Sequence, residues 1–259
     1  LGTHASLAGV AALITQRANG NPYYTEEAVN ALAEDGFLEG ERGAYVLKKP
    51  IGEWRIPDTV HALIAARIDR LPDEHKSLLQ SAAVIGQDFR PELLSQLVQL
   101  QTDPFEDSLA VLEETGFVHQ KPESRDRHYQ FCHPLVQEVA YQAQLEARRA
   151  AAHARLAMML EQQFPATGAP HETWMQTAHH WRRAGEWMKA GEWSLHASRY
   201  MQVHDMNAAI RQFQLAAESF SNAEFSDAQR KRPIAPLARL VPLAQLNPAP
   251  AREPQPRHP

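Results

Sequence analysis

Apolar residues recur at helical spacing along most of the chain, with short interruptions that mark where one element ends and the next begins. Between residues 5 and 35, Leu7, Val10, Leu13 and Ile14 share a face, Asn19-Gly20-Asn21-Pro22 breaks it, and Ala28, Val29, Ala31 and Leu32 resume it. Two helices meeting at a Gly-Asn-Pro corner are predicted. From Phe37 to Leu47, two short apolar arms flank a glycine-bounded polar centre, the pattern of a hairpin. Helical spacing returns after Pro57. Asp58 and Thr59 can cap a helix carrying Val60, Leu63, Ile64, Arg67 and Ile68, which Pro72 ends. A second helix carries Leu78, Leu79, Ala82, Ala83 and Ile85 up to Gly86. Pro91 opens a third with Leu93, Leu94, Leu97 and Val98, and Asp103-Pro104 a fourth with Phe105, Leu109 and Leu112, stopped by Gly116.

Two alternating arms follow, Phe117 to Gln120 and His128 to His133, around a charged loop from Lys121 to Arg127. Helices followed by a two-stranded hairpin suggest a winged helix. Beyond Pro134 the pattern is helical to about residue 226, interrupted near Pro165 to Pro170. Trp174, Ala178, Trp181 and Ala184 precede Trp187, Ala190, Trp193, Ala197 and Tyr200, then Ala208, Ile210, Phe213, Ala216 and Phe220. Small and aromatic residues at this spacing suit the close helix pairs of tetratricopeptide-like repeats. The ending is different. Eight of the 18 prolines fall between Pro233 and Pro259, no periodicity survives, and disorder is expected there.

The expected fold class is therefore mainly α: a helical lid with a hairpin connector over 1–50, a winged-helix domain over 51–145, tetratricopeptide-like helical repeats over 146–226, and a proline-rich tail over 227–259. A chain of 259 residues that is 44% hydrophobic has material for more than one compact core. The net charge of −5 offers no basic surplus for phosphate backbones or anionic lipid. No apolar run approaches the roughly 20 residues that span a bilayer, and the first residues do not resemble a signal peptide. No membrane partner and a cytoplasmic location are expected. The single cysteine, Cys132, has no internal partner and sits among aromatic and histidine residues, which reads as a buried, inert thiol in a reducing compartment. The chain opens on Leu1 in what reads as mid-domain sequence, as a fragment would.

Catalytic groups are not apparent. There is no Gly-Lys dipeptide, hence no phosphate-cradling loop, and no apolar strand ending in paired acids to hold magnesium. No Gly-x-Ser-x-Gly elbow occurs. The histidines His171, His179 and His180 raise a metal site, but His179 and His180 point about a hundred degrees apart on a helix, so no metal is expected. A nucleic-acid role meets an acidic candidate reading helix, with Asp103, Glu106, Asp107, Glu113 and Glu114. The loop cations Lys121, Arg125 and Arg127 are mixed with Glu123 and Asp126. No nucleic-acid partner is expected.

The segment from Ile14 to Glu27, with its Gly20-Asn21-Pro22-Tyr23 core and Glu26-Glu27 behind it, resembles the lid-helix signature of STAND NTPases, a branch of the AAA+ ATPases. Ile56-Pro57-Asp58-Thr59-Val60, Arg67 to Pro72, Ala82 to Gly86 and Phe131 to Tyr141 resemble the winged-helix section of that family, in order and spacing. The resemblance covers about residues 7 to 155. It brings to mind large bacterial signalling regulators whose ATPase is followed by tetratricopeptide-like repeats, and which can carry a nucleotide cyclase or a DNA-binding output domain. It implies the regulatory half of an ATP-dependent switch, not itself an enzyme, whose partner is an ATPase core upstream of Leu1. ATP or ADP would be held only with that core. In such proteins the proline of the corner packs near adenine, here Pro22, and a winged-helix histidine reaches the β-phosphate of ADP, here His133. Without the family, the corner is only a corner and His133 only a strand end. The rival readings are a repeat module that binds a protein or small inducer, and a DNA-binding transcriptional regulator.

Overall fold

A computed structural model describes residues 1–54, 57–98, 102–122, 126–164 and 171–223. Ile56, the charged-loop residues Glu123 and Arg125, the proline interruption after residue 164 and the proline-rich tail lie outside the described residues. Among the described residues the chain is mainly α, and no helix is long and apolar enough to cross a membrane. Two compact units divide it, Leu1–Leu145 and Glu146–Pro259.

In the first unit, α1 (Ala8–Ala18) and α2 (Pro22–Glu34) meet at the expected corner. Asn19 takes the left-handed conformation (φ 46°, ψ 42°), which an asparagine tolerates better than other side chains with a Cβ. The Asn21 side chain then accepts hydrogen bonds from the Tyr23 and Tyr24 amides at 3.0 and 3.2 Å. Pro22 fills the first helical position, where its missing N–H costs nothing. The connector forms a short antiparallel pair, β1 (Leu38–Glu39) and β2 (Val46–Leu47), with Leu38 opposite Leu47. Leu7, Val10, Ile14, Tyr24, Ala28, Leu32 and Trp54 make one core.

Thr59 caps α3 (Val60–Arg70) through the Ala62 amide at 3.1 Å. Next come α4 (Asp73–Ile85), β3 (Asp88–Phe89), α5 (Pro91–Val98), α6 (Thr102–Glu114), β4 (Val118–Gln120), β5 (Tyr129–Phe131) and α7 (Pro134–Gln142). The sheet has three strands in the order β3-β5-β4, all neighbours antiparallel. The expected hairpin is present as β4 and β5, and β3 joins it as a third strand that the sequence pattern does not show. β3 is two residues long, too short to show a period, and it is pinned at Gln87, whose side-chain amide donates to the Phe131 carbonyl (2.8 Å) and whose carbonyl accepts from the Phe131 amide (3.0 Å). Phe89, Tyr129 and Phe131 turn into a second core with Leu79, Leu94, Leu109, Leu112 and Phe117.

The second unit contains α8 (Glu146–Gln163), α9 (His171–Arg183), α10 (Trp187–Met201) and α11 (Met206–Asn222), each packed on the next. Ala178, Trp181, Ala190 and Trp193 are buried as the spacing suggested, whereas Tyr200 is exposed and stacks on His204 at 4.3 Å. One oxygen of Glu161 on α8 accepts from the indole N–H of Trp181 on α9 (2.6 Å) and of Trp193 on α10 (2.5 Å). Gly191 lets α10 meet the Phe220 ring of α11 closely: a Cβ built at Gly191 would lie 2.5 Å from that ring.

Candidate functional site

Pro22 and His133 both stand at helix beginnings in the first unit, Pro22 as the first residue of α2 and His133 as the residue capping α7. The residue after Pro22 joins them. The Tyr23 ring lies nearly parallel to the His133 imidazole, with centroids 3.8 Å apart and planes 12° from one another. Sequence reasoning singled out Pro22 and His133 and passed over Tyr23 as one letter of a motif.

His133 has extended backbone (φ −149°, ψ 144°), and its Nδ1 accepts the Leu135 amide at 3.1 Å. An Nδ1 engaged as acceptor leaves Nε2 as the protonated nitrogen of the neutral ring. The ring therefore offers one N–H donor, at Nε2, and is half-buried.

Beneath the stack lies an ionic cluster. Glu27, one turn along α2 from Tyr23, accepts from Arg67 Nη1 at 2.6 Å, and both side chains are almost fully buried. Arg67 also donates to Glu34 from Nε (2.8 Å) and Nη2 (2.5 Å), and to the Thr115 carbonyl (2.6 Å), while its guanidinium lies 4.7 Å from the centre of the Phe117 ring. A fork of donors satisfied this fully is what lets a guanidinium stay charged in a core. Its spacing alone places Arg67 on the apolar face of α3. Its partners were not foreseeable, because Glu27, Glu34 and Thr115 are 40, 33 and 48 residues away.

The Tyr23 hydroxyl is enclosed and makes no hydrogen bond of ordinary geometry, with the Glu27 carboxylate near enough to act on it. Burial, and then the Glu27 carboxylate, hold its phenol well above the ordinary range. Cys132 is exposed, which corrects the expectation of a buried thiol: it lies one residue past β5, its amide still donating to the Phe117 carbonyl (3.0 Å), so the alternation that buries Phe131 leaves Cys132 outside. Its Sγ lies 3.5 Å from His119 Nδ1. Partial enclosure of the sulfur, and then Glu27, still keep the thiol above its usual pKa, so little reactive thiolate forms.

Among the described residues no three His, Cys, Asp or Glu are arranged to hold a metal. His179 and His180 do come together, with centroids 5.3 Å apart, but around a third histidine that sequence reasoning did not consider. His153 on α8 meets His180 at 2.9 Å between their Nδ1 atoms. The side chain of His171 lies outside the described residues.

No protein-family model matches the chain. No curated protein matches it significantly in sequence.

Proposed function

We propose that residues 1–145 form the regulatory side of a nucleotide-dependent switch, closing over ADP or ATP held by an ATPase core upstream of Leu1. Here α1 and α2 act as the lid, α3 to α7 with the three-stranded sheet act as a winged helix, and α8 to α11 act as tetratricopeptide-like repeats. One observation supports the reading above the others. Pro22 and His133, matched to two separate family motifs 111 positions apart, meet through the Tyr23 stack. In this reading Pro22 flanks the adenine, and the Nε2–H of His133 donates to a phosphate oxygen. In this reading hydrolysis belongs to the core.

Two observations weigh against the DNA-binding alternative. Arg127 is tied to Glu106 through both guanidinium nitrogens (3.0 and 2.8 Å), and Lys121 to Asp88 at 2.5 Å. Two of the three wing cations thus already face carboxylates. The alternative of a pure interaction module on the second unit separates from the switch by its indifference to nucleotide.

Equilibrium binding of ADP and ATP to a longer chain that includes the core tests the proposal. His133→Ala is expected to lose one hydrogen bond to phosphate, on the order of 1 to 3 kcal/mol of ADP affinity. Pro22→Ala is expected to weaken ADP and ATP alike, since it acts at the base. Unchanged affinities in both variants, with normal thermal stability, would sink it.

A further inference from the structure

We infer that Tyr23 is a positioning residue for His133: the stacked phenol ring and the Leu135 amide together hold the imidazole in one plane and one tautomer, with Nε2 as its donor. The inference concerns the imidazole itself and rests on the proposed function only for what Nε2–H would donate to.

Two restraints of different kind act on the ring. The Leu135 N–H selects Nδ1 as the acceptor only while the ring plane keeps that nitrogen aimed at it, because Nδ1 cannot carry a proton and accept at 3.1 Å. It does not by itself fix the ring plane, since the χ2 torsion of a histidine is broad. A flat neighbour at 3.8 Å and 12° supplies that second restraint, as tilting the imidazole would drive its edge into the phenol.

The phenol in turn is held by its own helix. Tyr23 donates its amide to the Asn21 side chain at 3.0 Å, follows a proline with fixed φ, and has its hydroxyl enclosed near the buried Glu27–Arg67 pair. A hydroxyl in that place without a hydrogen bond of ordinary geometry gains nothing for stability. The ring, by contrast, has a clear use against His133. The side-chain order runs from α3 through α2 to the first residues of α7: Arg67 fixes Glu27, α2 carries Tyr23, and Tyr23 faces His133. A restrained ring keeps its donor in one direction, which is how rigid supporting contacts sharpen a binding group.

The test is nitrogen-resolved NMR of the His133 ring in the full chain at mildly alkaline pH. In the wild type, Nδ1 is expected to show the shift of an unprotonated acceptor and Nε2 that of a protonated nitrogen. The ring protons of His133 should be displaced upfield by the Tyr23 ring. Tyr23→Phe should keep both signatures, while Tyr23→Leu and Tyr23→Met should lose the upfield displacement and move both nitrogens toward a mixture of tautomers. A wild-type ring protonated on Nδ1 overturns the inference whatever the variants do, as do unchanged nitrogen shifts in a folded Tyr23→Leu or Tyr23→Met chain. In the longer chain with its core, loss of the tautomer preference with no change in ADP affinity would leave Tyr23 its role and remove the nucleotide reading alone.

Discussion

Glu27 and Arg67 form an ion pair of 2.6 Å across 40 residues of sequence, with the two side chains 5% and 1% exposed. A pair withdrawn from water in this way stabilises the fold little compared with an apolar substitute, but removing one member leaves the other charge stranded. Arg67→Met is therefore expected to destabilise the first unit by about 3–5 kcal/mol. In a Glu27→Gln background the same change should cost distinctly less, because no second buried carboxylate as deep as Glu27 remains. Denaturant titration of the four chains measures both figures, and equal costs in the two backgrounds would show that the pair is not coupled.

The enclosed Tyr23 hydroxyl predicts an unusual sign for a conservative change. Tyr23→Phe deletes a polar atom that makes no hydrogen bond of ordinary geometry and keeps the ring, so stability should stay within about 1 kcal/mol of wild type, and on the stabilising side. A thermal melt decides it. A clear loss would mean that the hydroxyl finds a partner in solution.

At Gly191, propensity and packing oppose each other. An alanine would favour the interior of α10 by about 1 kcal/mol, but its Cβ would press within 2.5 Å of the Phe220 ring. Overpacking should prevail, for a net loss of about 1–3 kcal/mol in the second unit. Phe220→Leu is expected to cost less in the Gly191→Ala chain than in the wild type. Additive costs would show that the two residues are not in contact.

The histidines of α8 and α9 predict acid sensitivity. Burial, followed by the positive charges of His179, Arg183 and Arg149, pushes His153 down to about 4; burial, followed by His153 and His179, pushes His180 down to about 3. In the unfolded chain each titrates near 6.5, so the unfolded state binds more protons at intermediate pH. Stability from the neutral pair is full above pH 6.5 and falls as pH drops from there toward 4 and 3, by on the order of a few kcal/mol. Melting the chain across that range, beside a His153→Leu, His180→Leu double variant with a flatter acid arm, checks the sign. Equal slopes would clear the pair of responsibility.

Much of the helical order was legible because several helices carry their own punctuation: Asn21 and Pro22 at the start of α2, Thr59 before α3, Gly116 after α6. These are local signals, read from neighbouring residues. β3 was not legible, since two residues cannot show a period and its place depends on β5, some 40 positions later. At the site, Pro22 and His133 stood out through resemblance, whereas their meeting depends on a ring contact between residues 110 apart. Cys132 reads as buried from the aromatic and histidine residues around it, whereas its place one residue past buried Phe131 leaves it outside. The Arg67 cluster was half legible: the spacing placed the arginine inside, and nothing in the sequence named the acids that accept from it.

The shared oxygen of Glu161 gives the second unit a property that pairwise helix contacts lack. In a stack of helix pairs each layer ordinarily feels only its neighbour, and the ends can peel away one at a time. Here α8 holds α9 through Trp181 and α10 through Trp193 at a single atom, so a departure of α8 strands two buried indole donors together. Detachment of α8 should consequently cost two hydrogen bonds at once, so α8 is expected to open less readily than a helix held by packing alone.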